Sequence, residues 1–398
     1  MELLIKNVVL TDWQGERYGE LYIKDGYMAE IGENLNKKCQ SIDGQGRRLL
    51  PAFIDMHCHF RDPGFTYKED ILSGSKAAAK GGYTAVNLMA NTKPVCSSKE
   101  VLDYVYKKAL EIDVIKLHQT VSITKNLEGK DISHLNELDS RVRFISDDGK
   151  GIYKSEIVRK AMMMAKELGI TIISHAENED ISTRDSRQSE NTMTLRDISL
   201  AKLTGGRLHM AHVSTKEAIA YIIEAKKQGI AVSCEVTPHH ISSLGDKNYR
   251  VNPPLREEED IAALINAIKG GYVDVIATDH APHSLEDKKN GAPGISGLET
   301  AFSLCYTSLV KNGHITLSYL SELMSKRPAG LMGYNLGEFK VGIEGDVVLV
   351  DTDSEEQVCG ESFHSKGKNT HIEGERLWGK VLMTIRGGKV IYDYGFTK

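Results

Sequence analysis

Between Pro51 and Asp279 the chain alternates eight short apolar runs with amphipathic segments, and this alternation leaves few folds open. The runs are AFIDMH, YTAVNLM, VIKLHQTVSI, RVRFISD, GITIISHA, RLHMAHVS, AVSCEVTP and VDVIATD. Each reads as a strand. Segments between them read as helices: SGSKAAAKGG, SSKEVLDYVYKKALE, KSEIVRKAMMMAKELG, STKEAIAYIIEAKKQG and EEEDIAALINAIKGG. Several open on a Ser or Thr cap and close at Gly. Eight β-then-α units in a row predict an α/β fold with a parallel sheet closed into a (β/α)8 TIM-type barrel. An open doubly wound sheet is the alternative. No Gly-rich dinucleotide fingerprint follows any run, which counts against it.

The ends of the chain follow another pattern. LLIKNVVL and GERYGELYIKDGYMAEIG alternate apolar with polar residues and break at Gly or Asp-Gly, as short antiparallel strands do. FKVGIEGDVVLVDTD and LWGKVLMTIRGGKVIYDYG repeat that pattern after two further helical stretches. The expected organisation is therefore a catalytic barrel over residues 51–335. Residues 1–50 and 336–398 would pair into one small β-sandwich beside it.

Composition excludes several function classes. A net charge of -5 argues against nucleic acid or an anionic membrane as the main partner. The six cysteines are scattered, with no CxxC pair, so free thiols in a reducing cytoplasm are expected. MELLIKNVVLTDWQGE lacks a basic start followed by a long apolar run, so no signal peptide is expected. No apolar stretch is long enough to span a bilayer.

In a (β/α)8 enzyme the chemistry sits where the strands end. The first run ends in His57 and His59, which share a face by strand alternation. The fourth ends in Asp147-Asp148-Gly149, the fifth in His175, the sixth in His212 and the eighth in Asp279. Alone, a strand-end His is a structural residue, DDG is a turn and an Asp is a cap. Their coincidence at one barrel end predicts a metal centre, zinc first, with room for a second ion bridged by a carboxylate. Asp279 can hold a metal or serve as general base on an activated water. Arg61, Asn91, Asn252 and His283 flank these positions. Arg offers a carboxylate a bidentate fork, so the expected substrate is small and acidic. His209, His280 and His118 are expected to lie outside the site. His239 and His240 are open to a role behind the ligands.

The motifs HCHFRDPG, MANTKP, SDDGKG, SHAE, AHVST, VTPHH, NPPLR, TDHAPH and GISGLETAF together resemble the dihydroorotases, in particular the long-chain type of many bacteria. The resemblance covers nearly the whole chain. It implies reversible cyclisation of N-carbamoyl-L-aspartate to L-dihydroorotate in pyrimidine biosynthesis. It implies one or two zinc ions on His57, His59, Asp279, His175 and His212, with Asp148 rather than Asp147 bridging. Asp279 would be the general acid/base. His59, Arg61, Asn91, Asn252 and His283 would hold the substrate, with Pro293 and Gly294 closing over the ring. A cytoplasmic homodimer is expected, with association with aspartate carbamoyltransferase as a further expectation. Two departures stand out. Asp occupies the strand-4 position where hydantoinases carry a carboxylated Lys, and the segments NEDISTRDSRQSENTMT and SLEDKKNGAPG are short. A hydantoinase or allantoinase activity, or a silent scaffold, are the alternatives.

Overall fold

The structure, a computed structural model, describes residues 1–245 and 249–396. Strands β1 (Glu2–Asp12), β2 (Gly15–Lys24) and β3 (Tyr27–Gly32) form an antiparallel meander, and β4 (Gln40–Asp43) and β5 (Arg48–Pro51) lie parallel beside β1. Each of the eight apolar runs then contributes a strand. These are β6 (Phe53–Cys58), β7 (Tyr83–Leu88), β8 (Lys116–Gln119), β9 (Phe144–Ile145), β10 (Thr171–Ser174), β11 (Arg207–Met210), β12 (Val232–Val236) and β13 (Val275–Ile276). The chain returns through β14 (Val347–Gln357), β15 (Arg376–Arg386) and β16 (Lys389–Asp393). The protein is thus α/β, with parallel sheets and a separate sheet built from both ends of the chain.

That separate sheet runs β16-β15-β14-β5-β1-β2-β3, with β4 also on β1. Where two stacked sheets were expected, hydrogen bonding is continuous through all eight strands. Alternation assigns the two faces. Val347 and Leu349 of β14 join Leu3, Ile5, Leu21, Ile23 and Met383 in a cluster of their own. Val348 and Val350 point the other way, into the core around the parallel strands.

The parallel strands form a five-stranded sheet, β13-β12-β11-β10-β9, and a three-stranded one, β6-β7-β8. Single parallel bridges touch at both seams, Val121 with Ile145 and Cys58 with His280. The buried Asp55 carboxylate ties β6 to the segment after β13, accepting the Thr278 backbone N–H at 2.9 Å and its hydroxyl. Ile54, Met56 and Ala85 share one apolar cluster with Phe144, Ile173 and Val275, so both sheets face a common interior.

Capping residues place the connecting helices as the sequence requires. Asp70 caps Ile71–Lys80, Thr215 caps Lys216–Lys227, and Gly169 ends Ser155–Leu168 in the left-handed conformation. Two connections differ from the expected alternation. Between β8 and β9 there are only two short 3-10 turns, Lys125–Leu127 and Ser133–Glu137. Between β10 and β11 the chain through NEDISTRDSRQSENTMT, not among the expected helices, carries the helix Ser186–Thr204. Its buried face mixes Ser189, Glu190, Asn191, Thr194 and Asp197 with Met193, Ile198 and Ala201, so its apolar periodicity is weak. Among the described residues no helix is long and apolar enough to cross a membrane.

Candidate metal centre

The expected ligands converge where the parallel strands end. His57 lies in β6 and His59 just beyond it, with ring centroids 5.4 Å apart. Asp148, His175, His212 and Asp279 follow β9, β10, β11 and β13. The Asp148 carboxylate sits among four imidazoles. Its Oδ1 is 3.2 Å from His57 Nε2, 3.5 Å from His175 Nδ1 and 3.8 Å from His212 Nε2. Its Oδ2 is 3.4 Å from His59 Nε2. Asp279 Oδ1 lies 3.2 Å from His59 Nε2 and 3.6 Å from His57 Nε2.

These residues fit a metal ion. In two triplets, His57–His59–Asp279 and His57–Asp148–His212, the ligand atoms all lie within 4.8 Å of one another. His175 joins the second through its Nδ1, 2.7 Å from His212 Nε2. His57 Nε2 and Asp148 Oδ1 are buried without a hydrogen-bond partner, and a buried polar atom left so is costly unless a cation meets it. Burial pushes the Asp148 carboxyl up, but the facing imidazoles, His57 first and then His175 and His212, outweigh it and hold the group well below the usual range. Asp279 behaves alike: burial opposes His59 and His57, which prevail.

The geometry separates the two adjacent aspartates after β9. Asp147 turns away, accepting the Thr124 backbone N–H at 2.9 Å and its hydroxyl. Lys150 is exposed beyond the turn closed by its N–H on the Asp147 carbonyl. Three of these imidazoles are anchored on their far nitrogens: His57 Nδ1 by Glu235 (2.6 Å), His59 Nδ1 by Asn91 Oδ1 (2.8 Å) and His175 Nε2 by Glu177 (2.8 Å). Sequence reading missed both glutamates. Glu235 carried a signal, as a charge inside an otherwise apolar run. Its carboxylate also accepts from His209, while His280 packs on Glu69 and His118 on Asn87, all away from the cluster. The His239 and His240 rings lie 4.5 Å apart, tilted by 50°, and His240 is bonded to Thr237 and the Pro253 carbonyl.

A cavity of about 190 Å³ opens on the cluster. His59, Arg61, Asn91, Asn252, His283, Pro293 and Gly294 all line it, with Asp148, His175, His212 and Asp279. Arg61, His212 and Asp279 have φ of 58°, 33° and 46°, a left-handed conformation that non-glycine residues hold at a cost. Gly294 has φ 141°, and a Cβ there would lie 2.4 Å from the Ala281 carbonyl oxygen. No side chain fits. Asn252 donates to Glu177 at 3.0 Å. Burial, then Arg61 and Lys68, push His283 down to about 3, so it is neutral near pH 7. Its Nε2–H donates to the Pro293 carbonyl (2.8 Å), and its Nδ1 accepts from Lys68 (3.3 Å). Arg61 therefore finds no acceptor on His283, and its buried Nε has no partner.

The amidohydrolase family model matches residues 48–391. The chain belongs to the amidohydrolase family. Within that family it belongs with the dihydroorotases. The dihydroorotase of Clostridium botulinum is 52% identical over 396 residues, covering 98% of this chain and 100% of that protein. The dihydroorotase of Caldanaerobacter subterraneus subsp. tengcongensis is 39% identical over 422 residues, covering 99% and 98%. Among solved structures, a dihydropyrimidinase from Brevibacillus agri superposes with a TM-score of 0.90 at 24% identity, covering 99% of this chain and 95% of that one. As a member of this family the chain is an enzyme, a cyclic amide hydrolase.

Proposed function

We propose that this amidohydrolase catalyses the reversible cyclisation of N-carbamoyl-L-aspartate to L-dihydroorotate, the dihydroorotase step of pyrimidine biosynthesis, at a zinc centre. One observation carries the substrate: a guanidinium, Arg61, whose buried Nε has no protein partner, lines the same small cavity as the ligand cluster. A carboxylate-bearing substrate supplies the missing acceptor.

Zinc, one ion or two, would be held by His57, His59, Asp148, His175, His212 and Asp279, whose imidazole and carboxylate donors suit it. When bound, the metal polarises the reacting carbonyl and acidifies water. In ring opening, Asp279 accepts a proton from the attacking water as the C–O bond forms. It returns that proton to the ring nitrogen as the C–N bond breaks. In cyclisation the reacting carboxyl enters protonated; Asp279 takes the proton from the carbamoyl nitrogen as the N–C bond forms and gives it to the hydroxyl oxygen, which leaves as water. Arg61 grips the substrate α-carboxylate. Asn91, Asn252 and neutral His283 orient the rest, and Pro293 and Gly294 border the ring.

The same reading takes residues 51–335 as a closed (β/α)8 barrel, with 1–50 and 336–398 as its companion. The bridges at both sheet seams and the shared interior cluster support closure. The resemblance also carries a cytoplasmic homodimer and association with aspartate carbamoyltransferase into this proposal.

Arg61→Lys tests the substrate assignment. A point charge cannot reproduce the fork. KM for dihydroorotate is expected to rise about tenfold, equivalent to about 1.4 kcal/mol. An unchanged KM in steady-state kinetics would count against a carboxylate at Arg61.

A further inference from the structure

We propose that Glu235 is a positioning residue for both halves of the metal centre, an inference that rests on the metal reading above. Glu235 lies in β12 and is 0% exposed, between Cys234 and Val236 of the apolar core. A carboxylate in such a place is costly unless its oxygens are satisfied. The groups that satisfy them all belong to the site or to its floor. Oε1 accepts the His57 Nδ1–H at 2.6 Å and the backbone N–H of His212 at 3.2 Å. Oε2 accepts the His209 Nε2–H at 3.0 Å, and Ser233 holds His209 from the other side at 2.8 Å.

One oxygen thus does two things. A proton on His57 Nδ1 leaves the lone pair on Nε2, the nitrogen that faces Asp148 and belongs to both ligand triplets. The bond to the His212 N–H holds that residue at φ 33°, where its imidazole reaches Asp148. Metal-binding imidazoles are commonly oriented through their other nitrogen. Here the orienting group also reaches a ligand on a neighbouring strand. Glu235 touches no substrate-cavity surface, so it acts through His57 and His212.

The test measures zinc affinity of the full chain after metal removal, by competition with a chromogenic chelator. Glu235→Gln keeps an oxygen for His57 and His212; Glu235→Leu removes it. The Leu variant is expected to bind zinc about 10–100-fold more weakly than wild type, and the Gln variant to recover most of that loss. Wild-type affinity in the Leu variant, or equal losses in both, overturns the proposal. If the Leu variant does not fold, 15N-histidine spectra of the zinc-loaded wild type decide. They are expected to show His57 carrying its proton on Nδ1, and a proton on Nε2 overturns the inference. Wild-type protein that binds no zinc sinks the metal reading itself, and this inference with it.

Discussion

Asp279→Asn is expected to lower kcat for dihydroorotate by about 10²–10⁴-fold, the usual contribution of a positioned acid/base group. The asparagine has nearly the same shape and keeps a carbonyl oxygen 3.2 Å from where His59 Nε2 lies. It cannot take up a proton. The carboxylate it replaces lines the substrate cavity and is kept ionised by His59 and His57 against the pull of burial. Measuring metal content and steady-state turnover on one sample separates proton transfer from ligand loss. A fall in kcat well beyond any fall in bound metal supports the assignment. Near-normal turnover would remove Asp279 from the mechanism.

The second large effect is expected at Asp148. Its carboxylate approaches nitrogens of His57, His59, His175 and His212 within 3.8 Å, so Asp148→Ala leaves four imidazoles facing one another without the anion between them. Metal retention is expected to weaken at least about 100-fold, the upper end of what losing an outer partner costs, and activity to fall with it. Asp147→Asn is the internal comparison. One residue away, Asp147 is spent on Thr124, so its replacement should leave metal content unchanged. Elemental analysis after gel filtration reads both. Equal losses in the two variants would contradict the bridging position.

Much of this arrangement was legible because buried parallel strands read as continuous apolar runs and because their ends carry chemistry. All eight runs contain a strand, and His57, His59, His175, His212 and Asp279 meet as strand alternation and strand order imply. What escaped notice had a physical reason in each case. Ser186–Thr204 buries Glu190 against Arg256 and Ser214, and Asp197 against Ser174 and Arg196, so polar residues interrupt the hydrophobic period on its buried face. The choice between Asp147 and Asp148 depends on a turn that sends adjacent side chains to opposite sides. Glu235 and Glu177 gain their meaning from imidazoles distant in sequence or read only as ligands. The continuous sheet at the chain ends follows from β5 pairing with both β1 and β14, a register that alternation cannot specify.

In the proposed mechanism the six converging side chains hold a metal that this chain needs to open dihydroorotate. The most direct measurement is zinc content and dihydroorotate turnover on one preparation, before chelation, after it and after zinc is restored. One or two zinc ions per chain, activity lost with the metal and regained with it, is the predicted result. Full turnover without metal, or a zinc-loaded protein that leaves dihydroorotate intact, would contradict the account.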